Sequence, residues 1–297
     1  MSITESKSKK NNWVSAVIID DDDETPSENV VMPTLINNET IVETIVKVEK
    51  KQRKPRVKAV KTVEKKEKVV DTTCLLKKFY HLDANIIEIG ADEAGRGPMF
   101  GRVYSGAVVL PKDDSFDHYK MKDSKKFTSK NNKKIQEVAD YIKANAIAWA
   151  VEYEDERVID DINILQATQS AMHKAIRSVL RQIKDLDTNN LFLLIDGNYF
   201  KQLTVFNKSN NRIENAKFET IEGGDNKFTS IAAASILAKV ERDKYIEELC
   251  IENPELIEKY GIDSNKGYGS KTHMDGIRKY GITKWHRRTF GLCKEFV

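Results

Sequence analysis

From about residue 86 onward the chain alternates short, continuously apolar runs with longer stretches in which apolar residues recur every three or four positions. Runs of four to eight apolar residues read as buried strands, and the wider spacing reads as amphipathic helix. Ile86 to Asp92, Arg102 to Leu110, Ala146 to Tyr153 and Asn190 to Asp196 are the predicted strands, with a further one at Lys217 to Glu222. Lys130 to Ala144 predicts a helix whose apolar face carries Ile135, Val138, Ala139 and Ile142. Ile162 to Ile183 predicts a long helix, and Ser230 to Leu249 a helix rich in alanine. Past Pro254 the pattern gives short helices joined by a glycine-rich loop at Lys266 to Ser270. Strands that open a domain and then alternate with helices imply an α/β fold, a mixed sheet flanked by helices, here with a helical C-terminal extension. That domain spans 84–297 and contains no internal repeat.

Residues 1–80 lack both patterns and are mostly polar and charged. Of 297 residues 32% are charged and 40% hydrophobic, and setting the arm aside leaves a part large enough to bury a core. The arm reads as low-complexity and disordered. It holds an acidic run, Asp20 to Glu24, and a basic stretch, 47–68, with eleven basic residues against three acidic. Such a stretch serves as a solvated tail, a nonspecific nucleic-acid tether or a nuclear import signal. Net charge of +3 argues only weakly for a polyanionic partner. Cys74, Cys250 and Cys293 are too far apart for a paired metal spacing and odd in number, which points to a reducing compartment. The N-terminus lacks the apolar core of a signal peptide and no run reaches membrane-spanning length, so the expected location is the cytoplasm, or the nucleus through the basic arm.

The candidate chemistry starts at Asp92-Glu93-Ala94-Gly95-Arg96-Gly97-Pro98. Two carboxylates at the end of a buried strand can hold hard divalent cations, glycines let a backbone approach a bulky substrate, and arginine offers a fork suited to phosphate. Asp196 ends another strand, and Asp225 follows Gly223-Gly224 on the approach to the alanine-rich helix. In an open α/β sheet ligands collect beyond strand ends, so these acids are placed to converge as metal-assisted phosphodiester hydrolysis requires. Neighbours on a regular strand point to opposite faces, so Asp92 and Glu93 share a site only if the strand bends or stops there. Other acids have structural readings: Asp113-Asp114 in a turn, and Asp160-Asp161 just before the long helix, where negative charge suits its N-terminus. His273 and His286, with no second histidine at ligand spacing, read as surface or packing residues, and Arg242-Asp243 as an ion-paired helix feature.

Six ordered motifs carry a resemblance. DEAGRG at 92–97, DSKK at 123–126, LIDGN at 194–198, SIAAASILAKVERD at 230–243, KGYG at 266–269 and HRRTFG at 286–291 together resemble type 2 ribonuclease H, in its bacterial-style ribonuclease HII branch. The resemblance covers about residues 86 to 292. It implies a ribonuclease H-like fold and two-metal hydrolysis of the RNA strand of RNA–DNA hybrids. It also implies incision 5′ of ribonucleotides embedded in duplex DNA, leaving 3′-hydroxyl and 5′-phosphate ends, as in ribonucleotide excision. The implied cofactors are two divalent ions, Mg2+ or Mn2+, on Asp92, Glu93, Asp196 and Asp225, in a protein acting as a monomer. The backbone of Gly95, Arg96 and Gly97 would read the 2′-hydroxyl, the one group that separates RNA from DNA at a nucleotide. Tyr268 would stack on the deoxyribose beyond the junction, and Lys125 and Lys126 would hold phosphates. Many relatives carry lysine-glycine before the last acid, where this chain has Gly223-Gly224. Ribonuclease HIII usually lacks the arginine found here at Arg96. Two other readings remain: a nucleic-acid binder with a retired site, and a different nuclease on the same fold.

Overall fold

A computed structural model describes residues 76–121, 132–184, 187–208 and 210–297. The basic stretch 47–68, Cys74, Lys125 and Lys126 therefore lie outside the described residues. Five strands form the central sheet: β1 (Ile87–Ala94), β2 (Val103–Val109), β3 (Ala148–Glu154), β4 (Leu191–Asp196) and β7 (Lys217–Ile221), in the order β3-β2-β1-β4-β7. β1 pairs antiparallel with β2, with Asp92 opposite Gly106, and parallel with β4, with Ala91 opposite Ile195. The parallel partners β1 and β4 carry acids, Asp92 and Glu93 on one and Asp196 on the other, near the same end of the sheet, which sets the site. A two-stranded hairpin of β5 (Thr204–Asn207) and β6 (Arg212–Asn215) stands apart. Its short strands were not read from the sequence, because four residues are too few for a period.

One face of the sheet is covered by α2 (Glu156–Gln182), whose Met172, Ala175, Ile176 and Val179 pack with Ile89, Ala91, Leu193 and Ile195. The other face meets α1 (Asn132–Asn145) and α3 (Thr229–Glu252), with Val108 against Ile135, Ile142, Ala233 and Leu237. α2 begins before the expected Ile162, and Asn163, at φ 69, kinks it. Asp155 is its N-cap, accepting from the N–H groups of Arg157 and Val158. Asp160 thus sits inside the helix instead of ahead of it, and accepts the N–H groups of Arg288 and Thr289, both at 2.9 Å. A C-terminal layer of α4 (Glu255–Tyr260), α5 (Ile262–Asn265) and α6 (Lys271–Tyr280) packs on the end of α3 through Ile246, Leu256, Ile262 and Ile277. Among the described residues no helix is long and apolar enough to cross a membrane.

The alanine richness of α3 follows from how close it lies to the sheet. A Cβ added to Gly106 would stand 2.3 Å from the carbonyl oxygen of Ala234, and one on Gly90 at 2.3 Å from the carbonyl carbon of Ser230. Backbone meets backbone here, so neither neighbour can turn aside. Gly106→Ala is expected to lower stability by about 3 kcal/mol through overpacking, read as a drop in the denaturant midpoint with unchanged m-value.

Candidate active site

β1 runs to Ala94, two residues past its expected end, and the chain then turns at Gly95 with φ +92. The two acids share one site all the same. Asp92 is buried at 4% exposure, its Oδ1 accepting the N–H of Glu93 at 2.6 Å, and both residues line one cleft of about 570 Å3. Asp196, Gly95, Arg96, Gly97 and Tyr268 line the same cleft. Asp196 arrives from the neighbouring parallel strand, and its Oδ1 accepts the N–H of Gly224 at 2.6 Å. That bond ties the turn bearing Asp225, itself buried, to the end of β4.

The electrostatics show the acids crowding one another. The Asp92 carboxyl is held well above the usual carboxylate range, first by burial and then by the negative charges of Glu93 and Asp196, while the Ser235 hydroxyl and the Glu93 N–H oppose the shift. Like charges brought together in a poorly solvated place favour a shared proton or a cation. Among the described residues no three His, Cys, Asp or Glu side chains stand together as a metal-holding group. The donors do fit a hard divalent ion: all are carboxylate oxygens, gathered where their like charges oppose one another. Around them Arg96 pairs with Glu93 at 3.2 Å.

The face of α3 toward the cleft carries Ser235, Lys239 and Arg242, which the sequence reading did not assign to the site. Their signal is present in the sequence: residues at i, i+4 and i+7 of a helix share a face. Arg242 and Asp243 are not paired with each other. Asp243 pairs with Lys239 at 2.9 Å, and buried Arg242 donates to the carbonyl of Lys266 at 2.8 Å, beneath the glycine turn. Tyr268 is 52% exposed, too open for a packing anchor, and a Cβ on Gly97 would lie 3.4 Å from its Cε1.

His273 and His286 are buried, not on the surface, and their Nε2 atoms face each other at 3.1 Å. His286 is lowered from 6.5 to about 3, by burial and then by His273. The unfolded chain therefore binds a proton below pH 6.5 that the native protein refuses, and stability falls as pH drops from about 6.5 toward 3. Thermal midpoints measured from pH 8 to 4.5 are expected to decline below pH 6.5, less steeply in His286→Gln.

A ribonuclease HII family model matches residues 89–293. The chain is 41% identical over 215 residues to the ribonuclease HII of Parabacteroides distasonis, covering 72% of this chain and 95% of the relative. It is 42% identical over 212 residues to that of Bacteroides thetaiotaomicron, covering 71% and 93%. In fold it is similar to the ribonuclease H2 of Pyrococcus horikoshii, with TM-score 0.52 at 22% identity, over 71% of this chain and 97% of that one. The expected ribonuclease H-like architecture is thus the observed one. Its mixed sheet and flanking helices, with acids at the ends of parallel strands, belong to a nuclease fold. The chain belongs to the ribonuclease HII family. It is a metal-dependent endoribonuclease acting on the RNA of RNA–DNA hybrids.

Proposed function

We propose that the protein incises the strand 5′ of a ribonucleotide embedded in duplex DNA, as well as hydrolysing RNA in longer hybrids, and leaves 3′-hydroxyl and 5′-phosphate ends. The observation that carries this reading is the meeting of Asp92, Glu93 and Asp196 with the Gly95–Gly97 turn and Tyr268 in one cleft. Asp92, Glu93, Asp196 and Asp225 would hold two divalent ions, Mg2+ or Mn2+. When bound, such ions supply an activated water and offset the charge on the leaving oxygen.

The chain's own groups do the positioning. The backbone of Gly95, Arg96 and Gly97 would take the 2′-hydroxyl, and the exposed ring of Tyr268 the deoxyribose that follows. Arg242 under the turn adds a fixed positive charge beside the phosphate path, where it costs no reorganisation. The catalytic domain is taken as 84–297, acting as a monomer in the cytoplasm. Lys125, Lys126 and the basic arm are assigned to phosphate contacts that hold the duplex without reading its sequence.

The metal assignment is tested by stripping the enzyme with chelator and adding back Mg2+ or Mn2+, with a hybrid and a single-ribonucleotide duplex assayed in parallel. Both activities should vanish and return together. Cleavage that persists in chelator would overturn the assignment.

A further inference from the structure

Trp285-His286-Arg287 lies outside the cleft lining. Arg287 is wholly buried and, among the described residues, has no ion-pair partner. Its guanidinium instead meets five backbone carbonyls. Nε donates to Gly101 at 2.8 Å, Nη1 to Arg96 at 3.0 Å and Pro98 at 2.8 Å, and Nη2 to Gly95 at 2.6 Å and Arg102 at 3.1 Å. A guanidinium has five N–H groups, so every donor is used on one turn. Burying a cation without a counter-ion is costly, and here the converging carbonyl dipoles offset that cost.

His286 makes the complementary connection. The backbone N–H of Thr283 donates to its Nδ1 at 2.9 Å, which places the His286 proton on Nε2. That N–H donates to Nε2 of His273, so His273 carries its own proton on Nδ1 and donates it to the carbonyl of Tyr268 at 2.9 Å. Backbone bonds join the same pieces: Arg287 N–H to Met99 carbonyl at 2.8 Å, and Met99 N–H to Gly267 carbonyl at 3.0 Å.

We propose that His286 and Arg287 are positioning residues that set the spacing between the two halves of the ribonucleotide reader. Arg287 fastens the Gly95–Arg102 turn, and His286, through His273, fastens the loop of Tyr268. This rests on the reading of Gly95–Gly97 and Tyr268 as substrate contacts. The two halves stand close, since a Cβ added to Gly97 would meet the Tyr268 ring at 3.4 Å, so a small shift of either changes the fit.

The test compares His273→Leu, His273→Asn and Arg287→Lys in the full chain. Asparagine places an amide N–H near the position of Nδ1 and can donate to the Tyr268 carbonyl, which leucine cannot. Lysine keeps the charge but offers three donors from one point. The readout is kcat/KM on a single-ribonucleotide duplex divided by kcat/KM on a continuous hybrid. His273→Leu is expected to lower that ratio about tenfold, as a displacement well under 1 Å would, and His273→Asn to restore most of it. Arg287→Lys should slow both substrates alike. Amide exchange supplies a readout free of activity: His273→Leu should expose 266–270 and Arg287→Lys 95–102, with the sheet amides protected.

An unchanged ratio in His273→Leu, or exchange that rises evenly over the whole domain, would overturn the proposal. Should Arg287→Lys not fold, the leucine–asparagine pair decides it. If the wild-type enzyme cuts the hybrid but not the single-ribonucleotide duplex, the assignment of Tyr268 as a junction reader fails. The fastening is then judged by exchange alone.

Discussion

Asp92→Asn is expected to lower hydrolysis of an RNA–DNA hybrid by about 10³-fold or more, while the thermal midpoint stays level or rises. The loss follows from the size of the effect being removed: charge stabilisation by a bound metal contributes several kcal/mol, and each 1.36 kcal/mol is tenfold in rate. The retained stability follows from the crowding. Asp92 is buried beside Glu93 and Asp196, and their charges work against its own. An amide of the same shape removes that repulsion, still accepts the Glu93 N–H through its carbonyl oxygen, and still reaches Ser235. Opposite movements of activity and stability are the mark of a strained functional group. Activity assays and melting curves on the same preparation check both signs. A variant that loses stability and activity together would point to a structural role for Asp92.

Gly95→Ala is expected to lower kcat/KM about 100-fold with the fold retained. At φ +92 a side chain is strained, and the new Cβ would stand 2.3 Å from Nε of Arg242 and 2.6 Å from its Cδ. Arg242 is buried and tied to the Lys266 carbonyl, so it has no room to turn aside. The turn must move instead, and misplacing a substrate contact by about 1 Å can cost 10²-fold. The sheet and α3 do not depend on the turn, so the melting transition should stay cooperative. Steady-state kinetics beside a denaturation curve would check it, and a fall in stability without a fall in kcat/KM would contradict the account.

The strands of the central sheet are legible because continuous apolar runs mark buried strands. Leu191–Ile195 is apolar throughout since β4 lies inside the sheet, between β1 and β7, with both faces covered. Asp92, Glu93 and Asp196, which line one cleft, stand out in the sequence because they close such runs, whereas Asp225 follows Gly223-Gly224. Other features depend on three-dimensional closure and leave little local trace. The His273–His286 pair joins residues thirteen apart across a loop, so no ligand-like spacing reveals it. Arg287 looks like one more basic residue until five carbonyls are seen around it. α2 starts ahead of the expected Ile162: Asn163, at φ 69, breaks the helical period there. Asp160, assigned to a helix end on charge alone, is occupied by the 288–289 backbone, a partner 128 residues away.

The most direct measurement is cleavage of an end-labelled DNA duplex carrying one ribonucleotide, run beside its all-DNA twin in Mg2+, with the product ends mapped. A single cut on the 5′ side of the ribonucleotide, a 3′-hydroxyl on the upstream fragment and an intact all-DNA duplex are expected. Cutting of both duplexes, or of neither while a continuous hybrid is degraded, would contradict the proposed function.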